Sequence, residues 1–214
     1  MRKSIAIIGG SIAGLSAALF FASAKNEELD FDITVFDEGK ADLKAAAIYN
    51  VPFFPKGAKA DEIYNVPFFP KGAKADEIYT HIKAQIASML EVKYIDSKVV
   101  SISGEKGDFT VNDEQGLGIK ADYIIVATGA NKSDIKELED FVIPHELMPK
   151  PNKFCFKHHG RQIIKEGIYA AGLASGVTTM VACAMGSANE AACAILSDIK
   201  GAVSVYHDTP TTRV

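Results

Sequence analysis

A short apolar run, residues 5–8, stops at Gly9-Gly10, and a helix of small residues starts at once with Ser11-Ile12-Ala13-Gly14-Leu15. Few folds accept that junction. A buried parallel strand that feeds a helix through a glycine turn aims the helix N-terminus at an anion. The frame Gly9-x-Ser11-x-x-Gly14 is the dinucleotide fingerprint with serine at its second glycine. Gly9 supplies the tight turn, Ser11 stands where the backbone approaches a pyrophosphate, and Gly14 lets helix and strand pack closely. The next strand-like run, residues 31–36, ends in Asp37-Glu38. An acid about twenty residues beyond the last glycine is placed to bind a ribose hydroxyl.

Composition bounds the remainder. With 214 residues, 48% of them hydrophobic and 23% charged, the chain can bury one substantial core, so residues 1–214 are expected to form a single domain. A net charge of −4 offers no electrostatic footprint for nucleic acid. No apolar run is long enough to span a bilayer, and the glycine turn cuts the apolar start too short for a signal peptide. Cys155, Cys183 and Cys193 form no Cys-x-x-Cys pair and are odd in number, which points to a reducing cytoplasm and to cysteines acting as small hydrophobes. The five histidines show no metal-ligand spacing, so no metal site is expected.

The oddest feature is a duplication. Residues 48–62 read Ile-Tyr-Asn-Val-Pro-Phe-Phe-Pro-Lys-Gly-Ala-Lys-Ala-Asp-Glu, and residues 63–77 repeat them without one change. Structural repeats diverge and come in threes or more, so two identical copies read as a tandem duplication inside a loop. Pro52, Pro55, Pro67 and Pro70 keep both copies out of helix interiors and central strands. The first copy is expected to be surplus, exposed or packed on a neighbouring subunit.

Past the second copy, Ile78, Ile82, Ile86, Met89 and Leu90 recur at helical spacing, with Asp76 and Glu77 at the favourable end. Residues 92–95, 98–102 and 109–111 are strand-like and are expected to form a small antiparallel layer. Residues 123–127 read as a buried returning strand, as does the run from Gly167 to Gly172. A long alanine-rich helix then spans 178–197, with Val181, Met185, Ala188, Ala192 and Ile195 on one face. Such a helix either aims its amides at a cofactor or packs closely on the sheet, and the residues leave both readings open. The fold class is α/β, with a central parallel sheet and a small antiparallel β-layer.

Four blocks together resemble the FAD-binding domain of thioredoxin reductases and their relatives in the pyridine nucleotide-disulfide oxidoreductase superfamily. They are the turn at 7–15, the loop at 65–72, Ala127-Thr128-Gly129-Ala130, and the stretch from Gly160-Arg161 to Gly172 with Val181 behind it. The resemblance implies a Rossmann-like FAD-binding domain with FAD as cofactor. It implies Gly9, Ser11, Ile12, Ala13 and Gly14 at the pyrophosphate, and Asp37 and Glu38 at the adenosine ribose. Val99 would meet the adenine through its backbone, and Thr128 and Gly129 would line the cleft. Gly172, Leu173, Met180 and Val181 would face the ribityl chain and the flavin ring. A helix N-terminus there favours the negative charge that develops on reduction.

Three departures separate this chain from the family pattern. Leu173 stands where the family has an aspartate that binds a ribityl hydroxyl, which removes a bond worth roughly 1.5–3 kcal/mol. The stretch between Ala130 and Phe154 is too short for the NADPH-binding domain the family inserts there, and the Cys-x-x-Cys redox pair is missing. The function implied is a small FAD-dependent oxidoreductase fed by NAD(P)H directly or by a redox partner, small molecule or protein, and working as a homodimer. The alternative is a non-catalytic module that binds FAD or another adenine nucleotide. No catalytic residue is singled out.

Overall fold

The structure, a computed structural model, describes residues 1–40, 75–131, 133–148 and 150–204. The duplicated segments, and the loop at 65–72 expected over a cofactor, lie outside the described residues except for 75–77. Six strands make the central sheet. They are β1 (Arg2–Ile8), β2 (Asp30–Phe36), β3 (Val92–Ile95), β7 (Tyr123–Val126), β10 (Ile163–Lys165) and β11 (Ile168–Ala170), in the order β10-β11-β7-β1-β2-β3. All neighbours are parallel except β10, which runs antiparallel to β11 at one edge.

The alternation along β1 explains the layering. Ile5 and Ile7 join the core formed with helices α1 (Ile12–Ala24), α2 (Ala75–Ala87) and α3 (Val181–Lys200). Ala6 and Ile8 point to the opposite face and share a second core with Val99, Ile102, Phe109 and Val111. A strand covered on both faces must be apolar at every position, which is why residues 5–8 show no period-two pattern. Helix α1 is equally apolar around its girth because the sheet, α2 and α3 enclose it. Phe21 is fully buried there, its ring 5.0 Å from that of Phe31.

The second face is covered by an antiparallel sheet of β4 (Val99–Ser103), β5 (Phe109–Asp113) and β6 (Gly118–Ala121). The expected strand at 92–95 does not belong to it. Those residues form β3, parallel to β2 with Val92 beside Ile33 and Ile95 beside Phe36, at the far edge of the central sheet. A strand that follows a helix returns parallel to the strand before it, and local periodicity carries no information about that pairing. Lys136–Phe141 forms a 3-10 turn leading into a ribbon of β8 (Val142–Pro144) and β9 (Phe154–Phe156). The long helix starts at Val181, three residues later than the sequence reading, and ends on Gly201 in the left-handed conformation (φ 64°). Among the described residues no helix is long and apolar enough to cross a membrane.

Carboxylates tie the elements at the base of the sheet. Asp122 accepts from the Ser4 amide at 2.7 Å, the Ser4 hydroxyl at 2.8 Å and the Lys3 ammonium at 3.0 Å. Burial opposes its ionisation, but those donors outweigh burial and hold the carboxyl below its ordinary value. Asp198 behaves likewise: burial is outweighed by the Tyr123 hydroxyl at 2.7 Å and by Lys106. A carboxyl whose folded value lies below its unfolded one stabilises the fold above the unfolded value. That contribution is lost as pH falls through the folded value. The melting temperature is therefore expected to drop as pH falls below about 4. The check is a series of thermal melts from pH 6 to pH 3. Asp122→Asn should flatten the acid limb, and an unchanged limb rejects the assignment.

Candidate functional site

The loops at the C-terminal ends of β1, β2 and β7 converge on the start of α1. Gly9 closes β1 with φ 114°, donates its amide to the Phe36 carbonyl at 2.8 Å, and lies against Ala127. A Cβ on Gly9 would sit 2.3 Å from the Ala127 carbonyl oxygen, and one on Gly14 only 1.9 Å from the Gly9 carbonyl oxygen. Neither position tolerates a side chain, because backbone meets backbone there. Gly10, between them, is pressed on Asp37: a Cβ would meet the Asp37 carboxylate at 2.7 Å. The turn thus joins β1, β2 and β7 to one helix N-terminus.

That N-terminus is buried and uncapped. Ile12, Ala13 and Gly14 are buried, Ser11 at the N-cap makes no side-chain hydrogen bond to the helix, and the first turn holds no acid. A buried helix start has amides that need a partner, and among the described residues no side-chain cap supplies one. Helix α2 differs, with Asp76 and Glu77 in its first turn. Instead of capping, Ser11 Oγ lies 3.0 Å from the hydroxyl of Tyr79 on α2.

Gly172 reaches the same place from the other side. It has φ 66°, and a Cβ there would lie 2.8 Å from the Ala13 Cβ. Its amide donates to Ser187 Oγ on α3 at 2.8 Å, and its carbonyl accepts from Ser175 Oγ at 2.8 Å. Gly172 opens the 3-10 turn Gly172–Ser175, in which Leu173 is half-buried. Helix α3, like α1, starts without a side-chain cap or an early acid, from a half-buried Met180 and a buried Val181.

The expected residues fall into two groups. Gly9, Ser11, Ile12, Ala13, Gly14, Asp37, Thr128 and Gly172 cluster around the start of α1. Gly129 follows Thr128 with φ 79°. Thr128 Oγ1 is buried without a hydrogen-bond partner among the described residues. Glu38 and Val99 are differently placed. Glu38 is exposed and ion-paired with Lys40 at 3.1 Å. Val99 buries its side chain in the core with Ile8 and Phe36, so only its backbone can meet a ligand. Sequence reasoning missed Gly10, Tyr79, Ser175 and Ser187. The glycine pair was a visible signal for Gly10. Nothing local marks the other three, whose partners lie elsewhere in the chain.

These features fit a dinucleotide. The glycines form a cradle that Cβ atoms would fill, the start of α1 has no side-chain cap, and the Thr128 hydroxyl is buried without a partner among the described residues. Position 173 is the exception, since leucine offers no hydrogen bond.

A family model described as pyridine nucleotide-disulphide oxidoreductase matches residues 3–158. No curated protein matches the chain. Among solved structures it is similar to an oxidoreductase from Agrobacterium tumefaciens, with TM-score 0.69 and 15% identity over 94% of this chain and 99% of that one. A thioredoxin reductase from Gloeobacter violaceus gives TM-score 0.69 and 13% identity over 97% and 99%. A ferredoxin-flavin thioredoxin reductase from Clostridium acetobutylicum gives TM-score 0.63 and 15% identity over 94% and 98%. At these identities the likeness is one of fold.

Proposed function

We propose, for a chain that belongs to the pyridine nucleotide-disulphide oxidoreductase family, that it works as a small FAD-dependent oxidoreductase. Membership implies a flavin-type cofactor; the choice of FAD rests on one observation. The start of α1 is buried, uncapped and without an acid in its first turn, and it is ringed by glycines whose missing side chains leave backbone against backbone at 9 and 14 and bring Asp37 and Ala13 close at 10 and 172. An uncharged ligand would leave those amides without an anion.

In this reading Ile12, Ala13 and Gly14 offer their amides to the pyrophosphate, and Asp37 and Glu38 accept from the adenosine ribose. The Val99 backbone meets the adenine. Thr128 and Gly129 line the cleft, and the orphaned Thr128 hydroxyl finds its partner in the cofactor. Gly172 and Leu173 lie along the ribityl chain, with the amides at Met180 and Val181 beyond. The uncapped start of α3 presents the positive end of its dipole there. FAD, when bound, supplies the redox chemistry, and the protein binds, orients and shields it. The donor is NAD(P)H or a protein partner. The Clostridium neighbour, by its name, pairs a ferredoxin with a flavin. One domain over 1–214, a homodimer and a reducing cytoplasm complete the proposal. Leu173 favours a second reading, a non-catalytic module for FAD or another adenine nucleotide.

The test is to reconstitute purified protein with FAD, pass it through gel filtration and add NADH or NADPH without oxygen. A yellow protein that bleaches is the expected result. Yellow but inert protein supports the partner-fed or non-catalytic reading, and colourless protein that cannot be loaded rejects FAD. Leu173→Asp should tighten FAD binding about ten- to a hundredfold by restoring a charged hydrogen bond. No gain means that the ribityl chain does not pass position 173.

A further inference from the structure

We infer that Ser11 and Tyr79 form a hydroxyl relay in which Tyr79 donates to Ser11 Oγ and Ser11 donates to the pyrophosphate of the bound dinucleotide. The inference rests on the dinucleotide reading above and explains the serine at the second glycine of the fingerprint. The two oxygens are 3.0 Å apart, and either can be the donor. Each hydroxyl carries one hydrogen and two lone pairs. Their mutual bond uses one hydrogen. The other has no acceptor among the described residues, because Ser11 Oγ neither caps α1 nor meets any other group there.

Geometry assigns the order of the relay. Ser11 is the N-cap of α1 and part of the glycine turn, so its oxygen stands at the end where the anion is expected. Tyr79 is buried on α2, with 8% of its surface exposed, and reaches Ser11 from that neighbouring helix. Its phenol also keeps its proton. Burial pushes the group up, the bond to Ser11 works against this, and the carboxylates of Asp37 and Asp76 add to the rise. The first turn of α1 holds no acid to accept the remaining hydrogen, and a bound anion would accept it in a charge-assisted bond. A glycine at position 11 would offer no such bond, and Tyr79 would then have nothing to orient. Ser11 is therefore a ligand-contacting residue, and Tyr79 a positioning residue that acts through it.

The experiment titrates the full chain with FAD and with ADP, which carries the pyrophosphate without the flavin. Four variants are compared with the parent: Ser11→Gly, Ser11→Thr, Tyr79→Phe and the double variant Ser11→Gly/Tyr79→Phe. Ser11→Gly is expected to weaken both ligands about tenfold or more, as for a hydrogen bond to a charged group. Ser11→Thr should restore binding, and Tyr79→Phe should give a smaller loss. The double variant should match Ser11→Gly alone, because Tyr79 acts only through the serine. Glycine is tolerated at an N-cap, so Ser11→Gly should fold, and a melt of the ligand-free protein checks this. Parent-like binding of FAD and ADP by Ser11→Gly overturns the relay while leaving FAD binding in place. Additive losses in the double variant also overturn it, as does a loss confined to FAD. A parent that binds ADP but not FAD rejects the flavin and keeps the relay. A parent that binds neither rejects both.

Discussion

Gly14→Ala is expected to yield a protein that holds no cofactor and melts well below the parent. The added methyl carbon would sit 1.9 Å from the Gly9 carbonyl oxygen and 3.1 Å from Ile7 Cγ2. The first atom is backbone of the turn itself, so no rotamer change relieves the clash. Either α1 moves off β1 or the turn opens, and both displace the amides of Ile12 and Ala13. Overpacking of this kind costs about 1–3 kcal/mol and sometimes more. In a chain of this size each kcal/mol lowers melting by roughly 2–4 °C. Melts and flavin absorbance on the same preparation check the result. A variant that melts like the parent and stays yellow would show that α1 and β1 are not in close contact. The clash lies between α1 and the turn that closes β1. The obstacle is the protein's own backbone.

Ser11→Asp is expected to move stability and binding in opposite directions. Helix α1 has no cap and no acid in its first turn. Aspartate at the N-cap satisfies the helix amides and complements the dipole, worth about 0.5–2 kcal/mol to the ligand-free protein. The same carboxylate then occupies the place of the pyrophosphate. Two like charges about 4 Å apart repel by roughly 4 kcal/mol at an effective dielectric constant of 20, close to a thousandfold in affinity. The measurement pairs a melt of the ligand-free variant with an FAD titration. A higher melting temperature together with lost binding identifies the start of α1 as the anion site. Retained binding would place the anion elsewhere.

The duplicated unit shows where reading stops. Its two identical copies are plain in the sequence, yet identity between copies says nothing about which of them occupies the loop, and residues 41–74 lie outside the described structure. The helix that follows was legible, since Ile78, Ile82 and Ile86 repeat at its period and all are buried. Met89, assigned to the same face, is more than one-third exposed, because α2 ends at Ala87.

What the sequence determined by itself is whatever depends on neighbours along the chain. The glycine turn, the all-apolar strands of the sheet centre, and the acid after β2 follow from backbone sterics and burial acting over a few residues. The tertiary structure alone decided the rest. It placed β3 beside β2 and not in the antiparallel layer, set Tyr79 against Ser11 across 68 positions, and seated the Gly172 amide on Ser187 of α3. A hydrogen bond between distant residues needs only one donor and one acceptor, and neither leaves a periodic trace. Strand order is likewise a property of the assembled sheet, since an edge strand and a layer strand obey the same local alternation.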